Sequence, residues 1–301
     1  MQDLVANLES ACVGRVLVNE PLSHHTTWKI GGAADLFVIP DSISALVKVI
    51  QMAYEAQVPW RVIGRGSNLL VRDGGIRGVV IGMERIAHLE FDGAKVRVGG
   101  GYSLVRLSVL AAARGLSGLE FAGGIPGSVG GAVFMNAGAH GAEISHVLEE
   151  AEVLLETGEI AQLAKDDLKF RYRFSALQGE KRGIVTQATF SLRPKSRSEI
   201  MPLMREYRIK RLASQPLNMP CAGSVFRNPP GDHAARLIES AGLKGYQIGG
   251  AQVSPLHANF IVNTGHALAQ DVLDLISHCQ QVVAERFGVK LDTEVLIAGE
   301  D

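Results

Sequence analysis

The sequence predicts a protein of two or three domains in which helices and strands alternate along the chain. Three observations lead to this fold class. The chain has 301 residues, which is more than a single domain usually holds. Apolar residues recur every three or four positions in some segments, as in helices, and form short runs in others, as in buried strands. A charged helical segment at 198–211 marks the expected domain boundary.

The composition indicates a globular protein and argues against several other classes. Hydrophobic residues make up 47% of the chain and charged residues 20%, with a formal net charge of −1. A balanced charge gives no electrostatic reason to expect nucleic acid or an anionic membrane surface as a partner. No apolar run approaches the roughly 20 residues of a membrane helix, and the N-terminus lacks the basic and apolar regions of a signal peptide. We therefore expect a cytoplasmic protein.

The cysteine and histidine patterns predict neither a disulfide framework nor a metal site. The three cysteines, Cys12, Cys221 and Cys279, are odd in number and unclustered. The nine histidines show no spacing that is typical of metal ligands.

Apolar periodicity and capping residues predict six helices. They are expected within 1–20, from 42 to Pro59, and at 103–114, 198–211, 232–240 and 268–287, with Asp232 as the cap of the fifth. Short apolar runs between turn residues predict the strands. These are expected at 35–39, 60–63, 78–83, 86–91, 95–98, 147–155, 159–163, 183–192, 251–254 and 259–263, with a closing pair within 289–298.

The stretch 121–141, FAGGIPGSVGGAVFMNAGAHG, is the most unusual part of the sequence. Seven of its 21 residues are glycine, and no charged residue interrupts it. Glycine loses more backbone freedom on folding than any other residue, so a dense cluster needs a reason. The reasons available are turns with positive φ, backbone N–H groups held close to an anion such as a phosphate, or a flexible linker. Embedded apolar residues argue against the linker, so we expect an ordered loop that contacts a cofactor.

A second loop, GRGSN at 64–68, directly follows a predicted strand. Its two glycines permit close approach to the backbone, and its serine and asparagine add hydrogen-bonding groups. It is not the Rossmann fingerprint, since Leu69 stands in place of the third glycine, and the sequence has no Walker lysine loop. Taken alone, the loop is more commonly explained by a glycine turn between strands; the pair of glycine loops together favours cofactor binding.

Arg173, Ser224 and Glu294 are the side chains that could carry chemistry, each with a structural alternative. Arg173 lies among aromatic residues, where it could stack on Tyr172, pair with Asp166, or grip a substrate carboxylate or enolate. Ser224 lacks a nucleophile-elbow motif, so a hydrolase nucleophile is disfavoured, and the pattern alone favours a structural serine. Glu294 lies on an apolar strand, where a charge needs a partner or a raised pKa.

Two further residues are better explained by structure than by chemistry. His257 could carry a proton, but a satisfied loop histidine is the preferred interpretation. Cys221 could be a reactive thiol, but a small packing residue is preferred.

Taken together, the motifs resemble one family, the UDP-N-acetylenolpyruvoylglucosamine reductases (UDP-N-acetylmuramate dehydrogenases), flavoenzymes of bacterial peptidoglycan precursor synthesis. The resemblance covers about 18–298. It rests on WKIGG at 28–32, GRGSNLL at 64–70, GGIPGSVGGAVFMNAGAHG at 123–141, YRFS at 172–175, AGSVFRNP at 222–229, GGAQVSPLHANFIVN at 249–263 and LDTEV at 291–295.

The resemblance implies an α+β fold: a cradle of two subdomains clasping FAD, of the vanillyl-alcohol-oxidase (PCMH) type, and a C-terminal α+β domain that closes over the substrate. In this chain it implies an N-terminal helix and connector at 1–20, FAD-binding subdomains at 21–85 and 86–205, and a substrate domain at 206–301. We further expect a monomer that binds a small molecule, with no nucleic acid, membrane or metal as a partner.

The resemblance also implies the reaction. NADPH reduces the flavin and leaves, the enolpyruvyl ether of UDP-N-acetylglucosamine takes its place, and hydride passes from flavin N5 to C3 of the enolpyruvyl group. Arg173 and Glu294 match the residues that polarise the enolpyruvyl carboxylate, and Ser224 matches the residue that protonates C2. Fixed arginine donors suit developing negative charge, and a carbanion or enol is a strong enough base to take a serine proton.

The same resemblance implies the binding residues. Tyr172, Arg211, Asn228 and Asn259 are expected to contact the substrate. The cofactor-binding residues are expected to be Gly64, Arg65, Gly66, Ser67, Asn68, Leu69, Gly123, Gly124, Ile125, Pro126, Gly127, Ser128, Gly130, Gly131, Asn136, Ala137 and Gly138. The chain lacks the extra loop, with its substrate-binding tyrosine, that one branch of the family carries between the positions of Arg173 and Ser224, and so resembles the shorter branch.

Two rival functions remain at this point. Another FAD-dependent oxidase or dehydrogenase on the same fold would keep the glycine loops but lose the Ser224 and Glu294 pair. Such enzymes usually attach the flavin to a histidine or cysteine, for which His24, His25 and His140 are the nearby candidates. A non-enzymatic nucleotide-binding module would leave the set of arginine, serine and glutamate unexplained.

Overall fold

A computed structural model describes residues 1–301, which form two compact units, each assembled from segments that are separate in the sequence. The first unit comprises 1–18, 36–65 and 78–210, and the second comprises 19–35, 66–77 and 211–301. The units are not consecutive in the sequence, because two short N-terminal segments group with the C-terminal part of the chain. The domain bounds expected from the sequence stay a prediction.

The chain forms seven α-helices and 18 strands, with short 3₁₀ helices between them. The helices are α1 (Gln2–Ser10), α2 (Ile43–Glu55), α3 (Leu104–Ala113), α4 (Val129–Met135), α5 (Arg197–Ser214), α6 (Ala234–Ser240) and α7 (Ala269–Phe287). The strands are β1 (Gly14–Pro21), β2 (Ala33–Pro40), β3 (Trp60–Ile63), β4 (Leu69–Val71), β5 (Ile76–Gly82), β6 (Leu89–Asp92), β7 (Lys95–Gly99), β8 (Leu116–Ser117), β9 (Gly138–Ala139), β10 (Ala142–Glu143), β11 (Leu148–Leu155), β12 (Ile160–Ala164), β13 (Gly183–Ser191), β14 (Arg193–Pro194), β15 (Gln247–Ile248), β16 (Ala251–Val253), β17 (Ile261–Asn263) and β18 (Leu296–Ala298).

The first unit contains two hydrophobic cores. In one, α1 and α2 bury their apolar faces against β2 and β5, which belong to a sheet of strand order β1-β2-β5-β3. In the other, α3 and α4 cover a five-stranded antiparallel sheet of order β12-β11-β13-β7-β6. Apolar residues at helical spacing and alternating strand residues supply these faces, so burial of apolar area drives both layers together.

The second unit packs α6 and α7 against a three-stranded antiparallel sheet of order β15-β16-β17. A separate parallel pair joins β18 to β4, which comes from the short segment 66–77. Trp28, Ile30 and Leu70 lie fully inside this core, so residues from both short segments complete it.

Hydrogen bonds explain why the short segments belong to the second unit. The Trp28 indole Nε1 donates to the Ile261 carbonyl at 2.8 Å, and the Asn263 amide returns a bond to the Trp28 carbonyl at 3.0 Å. Asp73 accepts from the backbone N–H groups of Ala269 and Gln270 at 2.9 and 3.0 Å, and so caps the first turn of α7. Both contacts join positions about two hundred residues apart, which no local pattern reveals.

Most predicted elements are present, and two details of the prediction are wrong. The helix expected at 232–240 begins at Ala234, and Asp232 does not cap it because its carboxylate binds Arg236 and the His233 N–H. The acceptor at the start of this helix is the Asn228 side chain, 3.1 Å from the Ala234 N–H. The strand pair expected within 289–298 is a single strand, β18.

Candidate active site

In the first unit, the two glycine loops predicted from the sequence approach each other. A Cβ on Gly64 would collide with the Ser128 hydroxyl and lie 3.3 Å from the Ser128 Cβ. Ser128 is buried and caps α4, where its hydroxyl accepts from the Gly131 N–H at 3.3 Å. Any side chain at Gly64 would therefore separate the loops, which is a close-approach reason for glycine.

The glycines of α4 have different roles. The Gly130 N–H donates to the Gly100 carbonyl at 2.7 Å, and a Cβ on Gly130 would lie 3.1 Å from that oxygen, so this glycine permits close helix–sheet packing. Gly131 is exposed, has no positive φ, and a Cβ there would meet only the Ser128 hydroxyl at 3.3 Å. Since neither packing nor backbone conformation requires Gly131, its bare backbone fits the close approach of a ligand.

Asn136 ends α4, and its side chain bonds to other parts of the protein rather than being available to a ligand. It is completely buried and has a left-handed backbone, φ +44°. Its amide nitrogen donates to Glu143 Oε1 at 2.9 Å and to the Arg171 carbonyl at 3.0 Å, while its Oδ1 accepts from the Ser145 N–H at 3.0 Å. Both amide hydrogens are thus used inside the protein.

Arg173 lies at the tip of a tight turn. Arg171 and Phe174 exchange backbone hydrogen bonds of 3.1 and 3.0 Å, which leaves Tyr172 and Arg173 as the central residues. Arg173 has φ +54°, a conformation that favours glycine or asparagine and costs other residues about 1–3 kcal/mol.

The Arg173 guanidinium is held from two directions within the first unit. Its Nη2 donates to the Gly138 carbonyl at 2.8 Å, and its Cζ lies 5.0 Å from the centre of the Tyr172 ring. The stacking on Tyr172 anticipated from the sequence is therefore confirmed. The Arg173 carbonyl also accepts from Gln178 Nε2 at 3.2 Å, so both ends of the residue are anchored.

In the second unit, Ser224 and Glu294 lie on adjacent backbone segments. The Glu294 N–H donates to the carbonyl of Val225, the residue after Ser224, at 2.8 Å. Arg227 and Asp292 continue this pairing at 2.9 Å. Gly223, with φ +78°, sets the turn before the serine. Two predicted catalytic residues that are 70 positions apart are thus neighbours in space.

Asn259 fixes the serine segment from its other side. Its Oδ1 accepts from the Phe226 N–H at 2.9 Å, its Nδ2 donates to the Phe226 carbonyl at 2.8 Å, and its backbone carbonyl accepts from the Val225 N–H at 2.9 Å. Asn259 is buried, so these bonds are shielded from water. Its position supports the loop, and the substrate contact predicted for it stays a prediction.

Part of the second glycine loop also lies in this unit. Asn68 donates from its side chain to the Glu294 carbonyl at 3.1 Å, and its own carbonyl accepts from the Leu296 N–H at 3.0 Å. The loop that ends in Leu69 is therefore bonded directly to the segment that carries Glu294, which precedes β18 and is not the strand expected from the sequence.

The other predicted substrate residues differ in exposure. Tyr172 is 48% exposed, and the Asn228 side chain binds the first turn of α6. Arg211 is largely buried, and this burial lowers the pKa of its guanidinium. Its Nε and the nearby Gln215 Oε1 are buried polar atoms without a hydrogen-bond partner. Such atoms are rare in folded proteins and fit a site that a polar ligand completes.

The surroundings of Cys221 and His257 are consistent with the structural interpretations preferred from the sequence. Burial raises the pKa of the Cys221 thiol, which disfavours the reactive thiolate. The His257 Nδ1 accepts from the Asn259 N–H at 3.2 Å, its ring packs edge-on against Phe260, and burial lowers the pKa of its imidazole.

Comparison with known proteins decides the family. Residues 34–164 match the family description "FAD binding domain", and residues 215–298 match "UDP-N-acetylenolpyruvoylglucosamine reductase, C-terminal domain". A Bacillus licheniformis protein of that reductase name is 53% identical over 301 residues, which cover 100% of this chain and 99% of the relative. A Bacillus subtilis reductase is 51% identical over 300 residues, covering 99% of each chain.

The chain belongs to the UDP-N-acetylenolpyruvoylglucosamine reductase family. The family resemblance and the FAD-binding domain anticipated from the sequence are confirmed, and the chain is an FAD-dependent oxidoreductase of this family. A crystal structure of the Thermus caldophilus reductase superposes with a TM-score of 0.81 at 38% identity, covering 94% of this chain and 98% of that one.

More distant structures bear on the fold alone. A berberine bridge enzyme superposes with a TM-score of 0.50 at 15% identity, covering 65% of this chain and 44% of that chain. Together with the reductase structure, this confirms the α+β class and the FAD-binding cradle. No helix is long and apolar enough to cross a membrane, and no group of three or more metal-ligating side chains is assembled.

Sequence reasoning missed several supporting residues. The triple glycine at 99–101 could have been recognised as a place of close backbone approach. A Cβ on Gly100 would collide with the Val185 carbonyl oxygen, and one on Gly101 with that of Met83. Glu143 and Gln178 carry no local pattern that separates them from surface polar residues. Their importance is visible only from the hydrogen bonds they make.

Proposed function

We propose that this chain reduces UDP-N-acetylenolpyruvoylglucosamine to UDP-N-acetylmuramate with NADPH as the reductant and FAD as the resident cofactor. The observation that carries the proposal is the 53% identity to a reductase of this name across the whole chain. The backbone pairing next to Ser224 is a second support, since it places Ser224 and Glu294 on adjacent segments.

The two glycine loops would hold the FAD. The residues proposed are 64–69, 123–128, Gly130, Gly131, Ala137 and Gly138. Asn136, which the resemblance also assigned to the cofactor, has both amide hydrogens bonded within the protein and supports the loop instead. Because 121–141 contains no charged side chain, an anionic group there must be held by backbone N–H groups and by hydroxyls such as that of Ser128. The chemistry that bound FAD supplies is hydride transfer from NADPH to C3 of the enolpyruvyl group.

Arg173 binds the enolpyruvyl carboxylate and stabilises the negative charge that develops when C3 receives hydride. A planar guanidinium offers fixed donors in a fork that matches a carboxylate. Its anchoring by Gly138 and Tyr172 lowers the reorganisation needed during the reaction, which is how preorganised donors accelerate charge development.

Ser224 supplies the proton to C2, and Glu294 binds the enolpyruvyl carboxylate. The proton moves from the serine hydroxyl oxygen to the carbanionic C2, which leaves a serine alkoxide that solvent reprotonates. A protonated glutamic acid donates a hydrogen bond to the carboxylate and so favours the enolic form.

The remaining substrate contacts fall to Tyr172, Arg211, Asn228 and Asn259. Arg211 is suited to the diphosphate, because its guanidinium is already largely desolvated and its Nε lacks a partner. We also propose that the chain acts in the cytoplasm as a monomer, without metal, nucleic acid or membrane partners.

The test is NADPH oxidation by the purified yellow protein, followed at 340 nm with and without the enolpyruvyl sugar nucleotide. We expect oxidation to depend on that substrate and to yield UDP-N-acetylmuramate, identified by mass. Oxidation that proceeds equally without the substrate, with oxygen consumed, would instead support a flavin oxidase. A purified protein without flavin absorbance would contradict both enzymatic functions.

A further inference from the structure

Asn136 connects the two structural parts that fix the guanidinium of Arg173. One part is the turn that carries Arg173, to which Asn136 donates through the Arg171 carbonyl at 3.0 Å. The other is the short hairpin of β9 and β10, to which it donates through Glu143 Oε1 at 2.9 Å. In that hairpin Glu143 stands opposite Gly138, whose carbonyl accepts the Arg173 guanidinium.

Five residues form a closed path: Asn136 bonds to Glu143, Glu143 pairs across the hairpin with Gly138, and Gly138 accepts from Arg173. The turn then leads from Arg173 to Arg171, whose carbonyl accepts from Asn136. Because one amide group bonds to both sides, the distance between the turn and the Gly138 carbonyl depends on it. Asn136 is completely buried, so water does not compete for these bonds.

The conformation of Asn136 itself indicates that the residue type matters. Its φ of +44° is tolerated by asparagine better than by most residues, and its Oδ1 is bonded to the Ser145 N–H at 3.0 Å. Serine 145 also donates from its hydroxyl to Glu143 Oε1 at 2.6 Å, which orients the carboxylate towards the amide. Every amide hydrogen of Asn136 therefore has a defined partner in the protein.

We propose that Asn136, with Glu143 as its acceptor, is the positioning residue that sets the orientation of the Arg173 guanidinium. This rests on the proposed role of Arg173 in binding the enolpyruvyl carboxylate. Asn136 then acts through Arg173 on the substrate half-reaction, in which flavin is reoxidised, and has little effect on flavin reduction by NADPH.

The variant that tests this is Asn136→Asp. Aspartate keeps the shape, tolerates positive φ and still accepts from Ser145, but it places an oxygen against Glu143 Oε1 and the Arg171 carbonyl. Adding Glu143→Gln restores a donor facing the new carboxylate. The double variant should therefore recover part of the flavin reoxidation rate that Asn136→Asp loses. Asn19→Asp is the matched control, since Asn19 is exposed and also has a positive φ of +54°.

The measurement is stopped-flow kinetics of both half-reactions with the FAD-loaded proteins, together with their FAD content. For Asn136→Asp we expect reoxidation by the enolpyruvyl substrate to slow about tenfold or more, as is typical when a supporting partner is lost. Reduction by NADPH and FAD content should stay within about twofold, as a role confined to Arg173 requires. Partial recovery in the double variant supports the inference further, while no recovery contradicts the assigned Glu143 contact.

Unchanged reoxidation in Asn136→Asp would overturn the inference, as would a parallel loss of both half-reactions and FAD, which indicates a merely structural role. If that variant does not fold, Glu143→Ala removes the acceptor at a partly exposed position and must slow reoxidation selectively. If the natural protein itself is not reoxidised by the substrate, the proposed function fails and the inference falls with it. If the natural protein turns over normally and Asn136→Asp is reoxidised at the same rate, the inference is overturned but the proposed function stands.

Discussion

At the scale of single residues, Arg173 is the clearest case of a strained backbone conformation at the candidate site. A residue with a side chain occupies a position in a tight turn where φ is +54° and glycine would be less costly. Its guanidinium is held by the Gly138 carbonyl at 2.8 Å and by the Tyr172 ring. Strain combined with two anchors indicates that the fold fixes the orientation of the guanidinium, as the role proposed for Arg173 would require.

Replacement of Arg173 by lysine tests that requirement. Lysine keeps the positive charge but loses the planar fork, so we expect the rate of flavin reoxidation by the substrate to fall by about 10²–10³, as for loss of one oriented donor. Flavin reduction by NADPH should change little in the same stopped-flow experiment. Arg114→Lys is the matched control, because Arg114 also packs on an aromatic ring, that of Phe91 at 4.2 Å. Equal loss in both half-reactions would contradict the role given to Arg173.

At the scale of elements, the segment that carries Ser224 is held in place by side chains that do not themselves need to react. Asn259 bonds to both the N–H and the carbonyl of Phe226, and the Glu294 N–H bonds to the Val225 carbonyl. A stretch with no helix or sheet ladder of its own is thereby fixed on two sides.

We expect Asn259→Ala to lower the free energy of unfolding by about 2–4 kcal/mol, because it leaves two buried backbone groups of Phe226 without partners. Chemical denaturation monitored by circular dichroism measures this. Asn7→Ala, on the exposed face of α1, is the control and should change stability by no more than about 0.5 kcal/mol. A change for Asn259→Ala as small as that of the control would show that the hydrogen bonds between Asn259 and Phe226 contribute nothing to stability.

The same element predicts a pH dependence of stability. Burial holds the pKa of His257 below its ordinary value near 6.5, and its Nδ1 accepts from the Asn259 N–H. The unfolded chain therefore binds a proton at a higher pH than the folded protein does. Stability from this residue is fully present above the unfolded pKa and is lost as the pH falls through about 6.5 towards the folded pKa.

Replacing His257 with glutamine removes that titration and keeps an acceptor for the Asn259 N–H. We expect unfolding midpoints measured at pH 7.5 and at pH 5.5 to differ less in the variant than in the natural protein. An identical pH dependence in both proteins would assign the effect to other groups.

At the scale of the whole molecule, the second unit is discontinuous in sequence, and this sets what the sequence could predict. Helices such as α2 and α7 were predictable because local periodicity and capping residues define them. The placement of Trp28 beside Ile261, or of Asp73 at the start of α7, depends on contacts between distant positions. Such contacts leave no local pattern.

The candidate site follows the same rule. Its glycine loops and the residues proposed to react were named from motifs and from resemblance to a family. The supporting roles of Glu143, Gln178 and Asn259 could not be predicted, because they depend on hydrogen-bond partners on other elements. Nor could the missing cap at Asp232 be foreseen, since an exposed ion pair with Arg236 takes up the carboxylate.

The discontinuity yields a prediction for fragments. Residues 211–301 alone lack Trp28, Ile30 and Leu70 from their core and Asp73 from the start of α7. We therefore expect this fragment not to unfold cooperatively on heating, whereas the full chain does. Circular dichroism and amide hydrogen exchange of the two proteins measure the difference. A fragment with a sharp unfolding transition and protected amides would show that the two short segments are dispensable.

The central claim, that Ser224 donates the proton to C2, is tested most directly by single-turnover kinetics of Ser224→Ala. The account predicts that NADPH reduces the flavin of this variant at a rate within about twofold of the natural protein, while reoxidation by the enolpyruvyl substrate slows by about 10² or more, the scale of general acid catalysis. Ser240→Ala, at the exposed end of α6, is the control. Reoxidation at the natural rate in Ser224→Ala, or equal slowing of both half-reactions, would contradict the account.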